Sequence, residues 1–281
     1  MPDVTVADLV TGWGLDAAAL ATVMIVAWAY GRGVRRLALR GRRWPVGRSA
    51  AMAGALVAAV LATQSGVGRY EGEAFWVHMV QHVLLGMVVP LLVVLAAPLT
   101  LALQTARPAT RRGLRRALHS RAGHVVGHPL VGWTLFGGGL VVLYLTPLLD
   151  VAARHPLVHM AVHAHVVTAG LLLLVPLVGI DPLPGRLPFA ARLGALLAAI
   201  PFHAVVALAM TASASPIDPR TYPSIDDQRV AAGLFWGAGE IFTVIAAAIV
   251  MRQWWVTEQR AMARDDRRAD AAAAAAPEVA V

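Results

Sequence analysis

An all-α, polytopic membrane protein of seven transmembrane helices is the fold class this sequence predicts, on three observations. Of its 281 residues, 58% are hydrophobic and only 14% charged, a balance far too apolar for a soluble chain of this length. The apolar residues gather into seven stretches, each near the ~20 residues that a bilayer core of ~30 Å takes as helix. The basic residues, all arginine because lysine is absent, alternate between dense and sparse in successive connections.

The stretches fall at roughly 15–31, 49–66, 74–103, 129–147, 156–179, 190–212 and 228–252. The opening eight residues lack the basic flank of a secretory leader, so span 1 is expected to be retained. Residues 1–255 form the expected transmembrane domain. Residues 256–281, charged and then alanine-rich with no core-forming pattern, are expected to be a disordered cytoplasmic tail,.

Orientation follows from the arginines. The linker between spans 1 and 2 carries Arg32, Arg35, Arg36, Arg40, Arg42, Arg43 and Arg48, and that between spans 3 and 4 carries Arg107, Arg111, Arg112, Arg115, Arg116 and Arg121. Arg186, Arg192 and the five from Arg252 onward fall on the same side, so twenty of the 24 agree. That side should be cytoplasmic, with the amino terminus outside and the carboxyl terminus inside. Such juxtamembrane arginines suit anionic lipid headgroups; without aromatic interleaving or a binding motif they do not point to nucleic acid.

Within the spans, Pro90 cannot donate to the Gly86 carbonyl and should bend span 3. Pro176 and Pro201 are read as packing kinks. The Gly137-Gly138-Gly139 run permits close helix approach.

Histidines carry the chemistry. Span 3 runs inward, placing His78 and His82 ~6 and ~12 Å below the outer edge; span 5 places His159 and His163 at ~5 and ~10 Å, and span 6 brings His203 into the outer half as well. Residues four apart share a helical face, so His78 with His82, and His159 with His163, are each spaced to hold one metal. Any single histidine in a span can be explained by a hydrogen bond to a neighbouring helix. Five at one depth point instead to a shared metal site of His78, His82, His159, His163 and His203. Cysteine is absent, which excludes thiolate zinc sites, iron–sulfur clusters and disulfides. Imidazole with nearby Met79, Met160 and Met210 suits copper, expected as Cu(I). Haem bound by histidines of facing helices is the rival ligand, whereas retinal is excluded by the lack of lysine.

Gln81, Met210, Asp227, Gln228 and Glu240 are the expected supporting or entry residues. Asp226, Asp227 and Gln228 open span 7, where carboxylates also suit the helix dipole. Glu240 lies ~18 Å further in, where a carboxylate is costly unless functional, and can orient a ligand histidine. No nucleophile–base pair or phosphate-binding glycine loop occurs, so the chain is not expected to be an enzyme.

Three fragments carry a resemblance to a known family. The first is His78-Met-Val-Gln-His82-Val-Leu-Leu through Pro90 to Ala97-Pro98; the second is the His159–His163 pair followed by Pro176-Leu-Val-Gly-Ile-Asp-Pro-Leu-Pro184; the third is Asp227-Gln228 leading to Gly233, Trp236 and Glu240. Together, over about 70–252, they resemble the polytopic CtaG family, assembly factors of caa3-type cytochrome c oxidase. The resemblance implies a multi-pass protein of the bacterial cytoplasmic membrane, partnered with cytochrome c oxidase subunits and an unidentified copper donor, that acts in supplying or placing copper. Two other readings stay open: a metal-free scaffold for oxidase subunits, and a haem b-binding membrane electron carrier.

Overall fold

Backbone buried in lipid must satisfy its own hydrogen bonds, which helices do within one segment, and each long apolar stretch of this chain is helical. The structure, a computed structural model, describes residues 4–181 and 187–275. In chain order the helices are α1 (Val6–Thr11), α2 (Ala17–Ala38), α3 (Val46–Gln64), α4 (Gly66–Tyr70), α5 (Phe75–Val83), α6 (Val89–Ala96), α7 (Pro98–Thr105), α8 (Pro108–Leu118) and α9 (Arg121–Val126). They continue as α10 (Pro129–Leu145), α11 (Leu148–Arg154), α12 (Pro156–Val178), α13 (Phe189–Leu197), α14 (Ile200–Ala212) and α15 (Ile225–Ala275). No strand occurs among the described residues.

Six helical runs are long and apolar enough to cross a membrane: α2, α3 with α4, α5 through α7, α12, α13 with α14, and α15. The remaining stretch is shorter. Helix α10 has 17 residues and is followed by α11 at a bend of 79°. Pro147 causes the break, because the residue before a proline is driven out of the helical region and Thr146 is extended. The chain is a multi-pass, all-helical membrane protein, with seven spans when the bent pair counts as one.

Span 3 shows how proline shapes the interior. Pro90 leaves the Gly86 carbonyl without its usual donor, and the chain widens just before it into a π-helical turn, Leu84–Val88, in which the Val89 N–H reaches back to the Leu84 carbonyl. Helix α12 packs closely on this wide turn at Gly170, where any side chain would run into the Gly86 carbonyl and lie 2.8 Å from the Pro90 ring. Further along, Ala97 adopts a left-handed conformation, φ 51°, and separates α6 from α7. Asp181 caps α7, accepting hydrogen bonds from the backbone of Leu99 (3.3 Å) and Thr100 (2.8 Å). Pro176 stays inside α12, whereas Pro201 opens α14 after an interruption that divides span 6.

The main core lies among α5, α10, α12, α14 and α15, with Phe75, Met79, Tyr144, Leu174, Met210 and Phe235 buried in it. A smaller cluster of Tyr30, Leu37, Met52 and Leu101 joins α2 to α3 and α7. Gly137 and Gly139 make close approaches to Phe202 and His165, respectively, whereas Gly138 faces open space. At the carboxyl end, α15 continues through much of the segment expected to be disordered, as far as Ala275. Alanine and arginine are strong helix formers, so a helix already started has no local reason to stop there. Residues 276–281 of that tail, and Arg186 in the span 5–6 linker, lie outside the described residues.

Candidate metal centre

Helix α5 is set in place by its amino terminus. Asp227, in the first turn of α15, does not cap its own helix; its carboxylate accepts from the backbone N–H groups of Phe75 (2.7 Å) and Trp76 (3.1 Å). A carboxylate is well placed there, against the orphan donors and positive end of a helix dipole. With α5 so anchored, His78 and His82 lie on one face, ring centroids 4.2 Å apart. Helix α12 presents His159 and His163 in the same way, also at 4.2 Å, and His82 meets His163 at 5.9 Å. Four of the five expected histidines therefore converge.

They line a cavity of about 130 Å³ closed by Leu143, Leu149 and Val162. Glu71, in the turn between α4 and α5, hangs over it. One carboxylate oxygen lies 2.9 Å from His159 Nε2 and the other 3.3 Å from His78 Nδ1. Burial works against its negative charge, but the hydrogen bonds from His159 and His78 prevail and hold the Glu71 carboxyl well below the usual carboxylate range,. Tyr222, from the segment before α15, donates to the Glu71 carbonyl oxygen at 2.7 Å and stands 3.3 Å from His78 Nδ1. Tyr144, at the end of α10, is 2.7 Å from His82 Nδ1.

Gln81 orients the remaining ring. Its amide nitrogen donates to the Ala62 carbonyl (3.0 Å), which turns its oxygen toward His163 Nε2, also at 3.0 Å. An acceptor at that position requires His163 to carry its proton on Nε2 and leaves the lone pair on Nδ1. Glu71, His159 and His163 each offer a ligand atom within 4.8 Å of the others, a spacing that a single cation can draw together.

His203 does not join this group. It is 2% exposed, but its ring packs between Phe136 (5.6 Å) and Phe235 (5.1 Å) and against Gly239, where a Cβ would come within 2.8 Å of it. Depth alone placed it with the others; rotation about the α14 axis turns it toward α10 and α15 instead. Neither ring nitrogen has a hydrogen-bond partner of ordinary geometry.

The methionines are elsewhere as well. Met79 and Met210 are buried in the core, Met160 is half exposed, and no methionine lines the cavity. Gln228 serves the fold, donating to the Met210 carbonyl (2.8 Å) and accepting from Ile217 N–H (2.7 Å). Glu240 accepts from the Trp236 indole at 3.0 Å on an exposed face of α15, and does not orient any of the clustered histidines. Glu71, Tyr144 and Tyr222 were not anticipated. Glu71 was findable: the turn Tyr70-Glu-Gly-Glu73 sits at the mouth of span 3, one turn above His78.

Fold and site together define a multi-pass helical membrane protein with a buried imidazole–carboxylate cluster near one end of its bundle. Comparison with known proteins narrows the class. The chain belongs to the cytochrome c oxidase caa3 assembly factor family, whose model matches residues 28–257. It is also 34% identical over 253 residues to uncharacterized proteins of Mycobacterium bovis and Mycobacterium tuberculosis, and 34% identical over 251 residues to one of Mycobacterium leprae. Each alignment covers 84% of this chain but 38% of the relative, so the chain spans well under half the length of these relatives. No solved structure matches it significantly.

Proposed function

We propose that this protein serves the assembly of caa3-type cytochrome c oxidase by holding copper, as cargo, in the cavity beneath Glu71 and helping its placement in the oxidase from the outer side of the membrane. One observation carries this reading: four imidazoles and a carboxylate from three separate parts of the chain converge on one small cavity. Imidazole and carboxylate without thiolate suit copper among the biological cations, and copper binds such donors more tightly than its first-row neighbours. Family membership supplies the partner, because caa3 oxidase is the protein whose assembly the family is described by.

Haem is the weaker ligand. A cavity of about 130 Å³ falls well below the ~300–1,000 Å³ of sites that enclose drug-sized ligands, and rings four residues apart with centroids at 4.2 Å leave no gap for a macrocycle. The metal-free scaffold is separated from the copper reading by experiment. Purified protein exposed to copper and then desalted should retain it by metal analysis, and the double variant His82→Ala with His163→Ala, which takes a ring from each helix, should lose it while keeping wild-type helicity and elution volume. Equal copper in both proteins would reject the site. Cells lacking the protein should assemble oxidase poorly, and a variant that binds no copper but restores assembly would establish the scaffold.

A further inference from the structure

Two nitrogens of residues that line the cavity have no partner. His78 and His82 are each 4% exposed, and neither Nε2 makes a hydrogen bond. Leaving a buried polar atom unsatisfied costs ~1–3 kcal/mol, and here the cost is incurred twice, by neighbouring rings on one helical face. The opposite nitrogen of each ring is held from behind. His78 Nδ1 faces Glu71 at 3.3 Å and the Tyr222 hydroxyl at 3.3 Å, and His82 Nδ1 faces the Tyr144 hydroxyl at 2.7 Å. His78, donating through Nδ1 to the Glu71 carboxylate, carries its lone pair on Nε2, and His82 does so in the tautomer whose Nδ1–H donates to the Tyr144 hydroxyl oxygen,. A carboxylate or oxygen acceptor behind the ring is the arrangement that orients a metal-bound histidine.

These two nitrogens are distinct from the group formed by Glu71, His159 and His163, which does not extend to His78 or His82. We propose that the cavity contains two cation positions rather than one. The outer position is Glu71 with His159 and His163; the inner is the pair of Nε2 atoms of His78 and His82, with Tyr144 as its positioning residue. Glu71 links them, since one oxygen meets His159 and the other His78. This inference rests on the metal-binding reading above and deepens it.

The two positions differ in the ion they hold. At the outer one a carboxylate brings a negative charge, which suits a divalent cation. The inner one offers two neutral imidazoles in a site sealed from water, where a double charge is far costlier to bury than a single one. It therefore suits a monovalent d10 ion, Cu(I) or its redox-inert stand-in Ag(I). Both positions fill from ions already in the required state, and no electron transfer between them is invoked.

The test uses the full chain in detergent with silver(I) and zinc(II), which do not change oxidation state. Wild type should bind one equivalent of each, and both at once without competition. His82→Ala should lose silver and keep zinc, whereas His159→Ala should lose zinc and keep silver. Tyr144→Phe, which removes a single oxygen and leaves the ring, should weaken silver about tenfold without moving zinc affinity; loss of packing alone would weaken both. If silver and zinc compete for one equivalent, or if His82→Ala and His159→Ala lose the same ion, the two-position proposal is overturned and a single site stands. Failure of wild type to bind either ion would overturn the metal-binding reading together with it.

Discussion

His203 shows how much a single residue's surroundings decide. Sharing a depth with the clustered histidines, it shares neither their cavity nor their partners, and its two ring nitrogens are buried without a hydrogen bond of ordinary geometry. Replacing an unsatisfied buried polar group by an apolar one of similar shape is close to neutral or stabilising. His203→Leu should therefore leave the thermal midpoint unchanged or raise it by a few degrees, with copper content as in wild type. A folded variant that had lost its copper would return His203 to the site. The contrast with His78 and His82 marks what was readable beforehand. Spacing of four residues on one helix is a local property, and both i, i+4 pairs share a face as expected, their ring centroids 4.2 Å apart. Which way His203 faces depends on how α14 is rotated against α10 and α15, and no pattern within the span encodes that. Glu71, Tyr144 and Tyr222 escaped notice for a related reason. Each comes from a different connection or helix end, and their meeting is a property of the assembled bundle.

Elements were more legible than their breaks. Length and hydropathy were enough to locate all seven apolar stretches, because a bilayer leaves few alternatives to a helix of that length. Proline positions tell where regularity fails, but not how: Pro90 produces a wide turn ahead of itself, and Pro147 cuts α10 from α11. The polar end of α15 carries on to Ala275, as the propensity of its alanines and arginines allows, although the lack of a core-forming pattern points to disorder. The wide turn matters because it falls directly after His82 and is clasped by α12, the helix that bears His159 and His163. Gly170 is the point of contact, and a side chain there meets the Gly86 carbonyl and the Pro90 ring. Gly170→Val should cost ~1–3 kcal/mol as overpacking, seen as a thermal midpoint lowered by several degrees. It should also weaken metal binding by pushing α12 away from α5. Gly138→Ala, where the added carbon meets nothing within 4 Å, is the control; in a helix interior this exchange is stabilising by roughly 0.5–1 kcal/mol. Equal destabilisation by both would show that the α5–α12 contact is not close-packed.

At the scale of the whole molecule the cluster and the charge lie at opposite ends. Arg35 and Arg36 close α2, the connection α8–α9 carries Arg111, Arg112, Arg115 and Arg116, and the polar end of α15 carries Arg260 and Arg264. Glu71, His78, His159 and Tyr222 sit at the starts of α5 and α12 and just before α15, the reverse end of the same helices. Arginine-rich connections are retained in the cytosol, so the cavity is expected to open outward, on the side opposite those connections. The chain contains no cysteine, which makes the orientation directly measurable, since one introduced thiol is the only thiol. Glu73, beside the cavity mouth, and Gly113, in α8, are both exposed, so Glu73→Cys and Gly113→Cys should each be accepted by the fold. In intact cells a membrane-impermeant maleimide should label the first and not the second, and permeabilisation should make both react. The reverse pattern would turn the cluster toward the cytosol: copper would then have to enter from inside, and the arginines would face outward against the charge rule that set the topology.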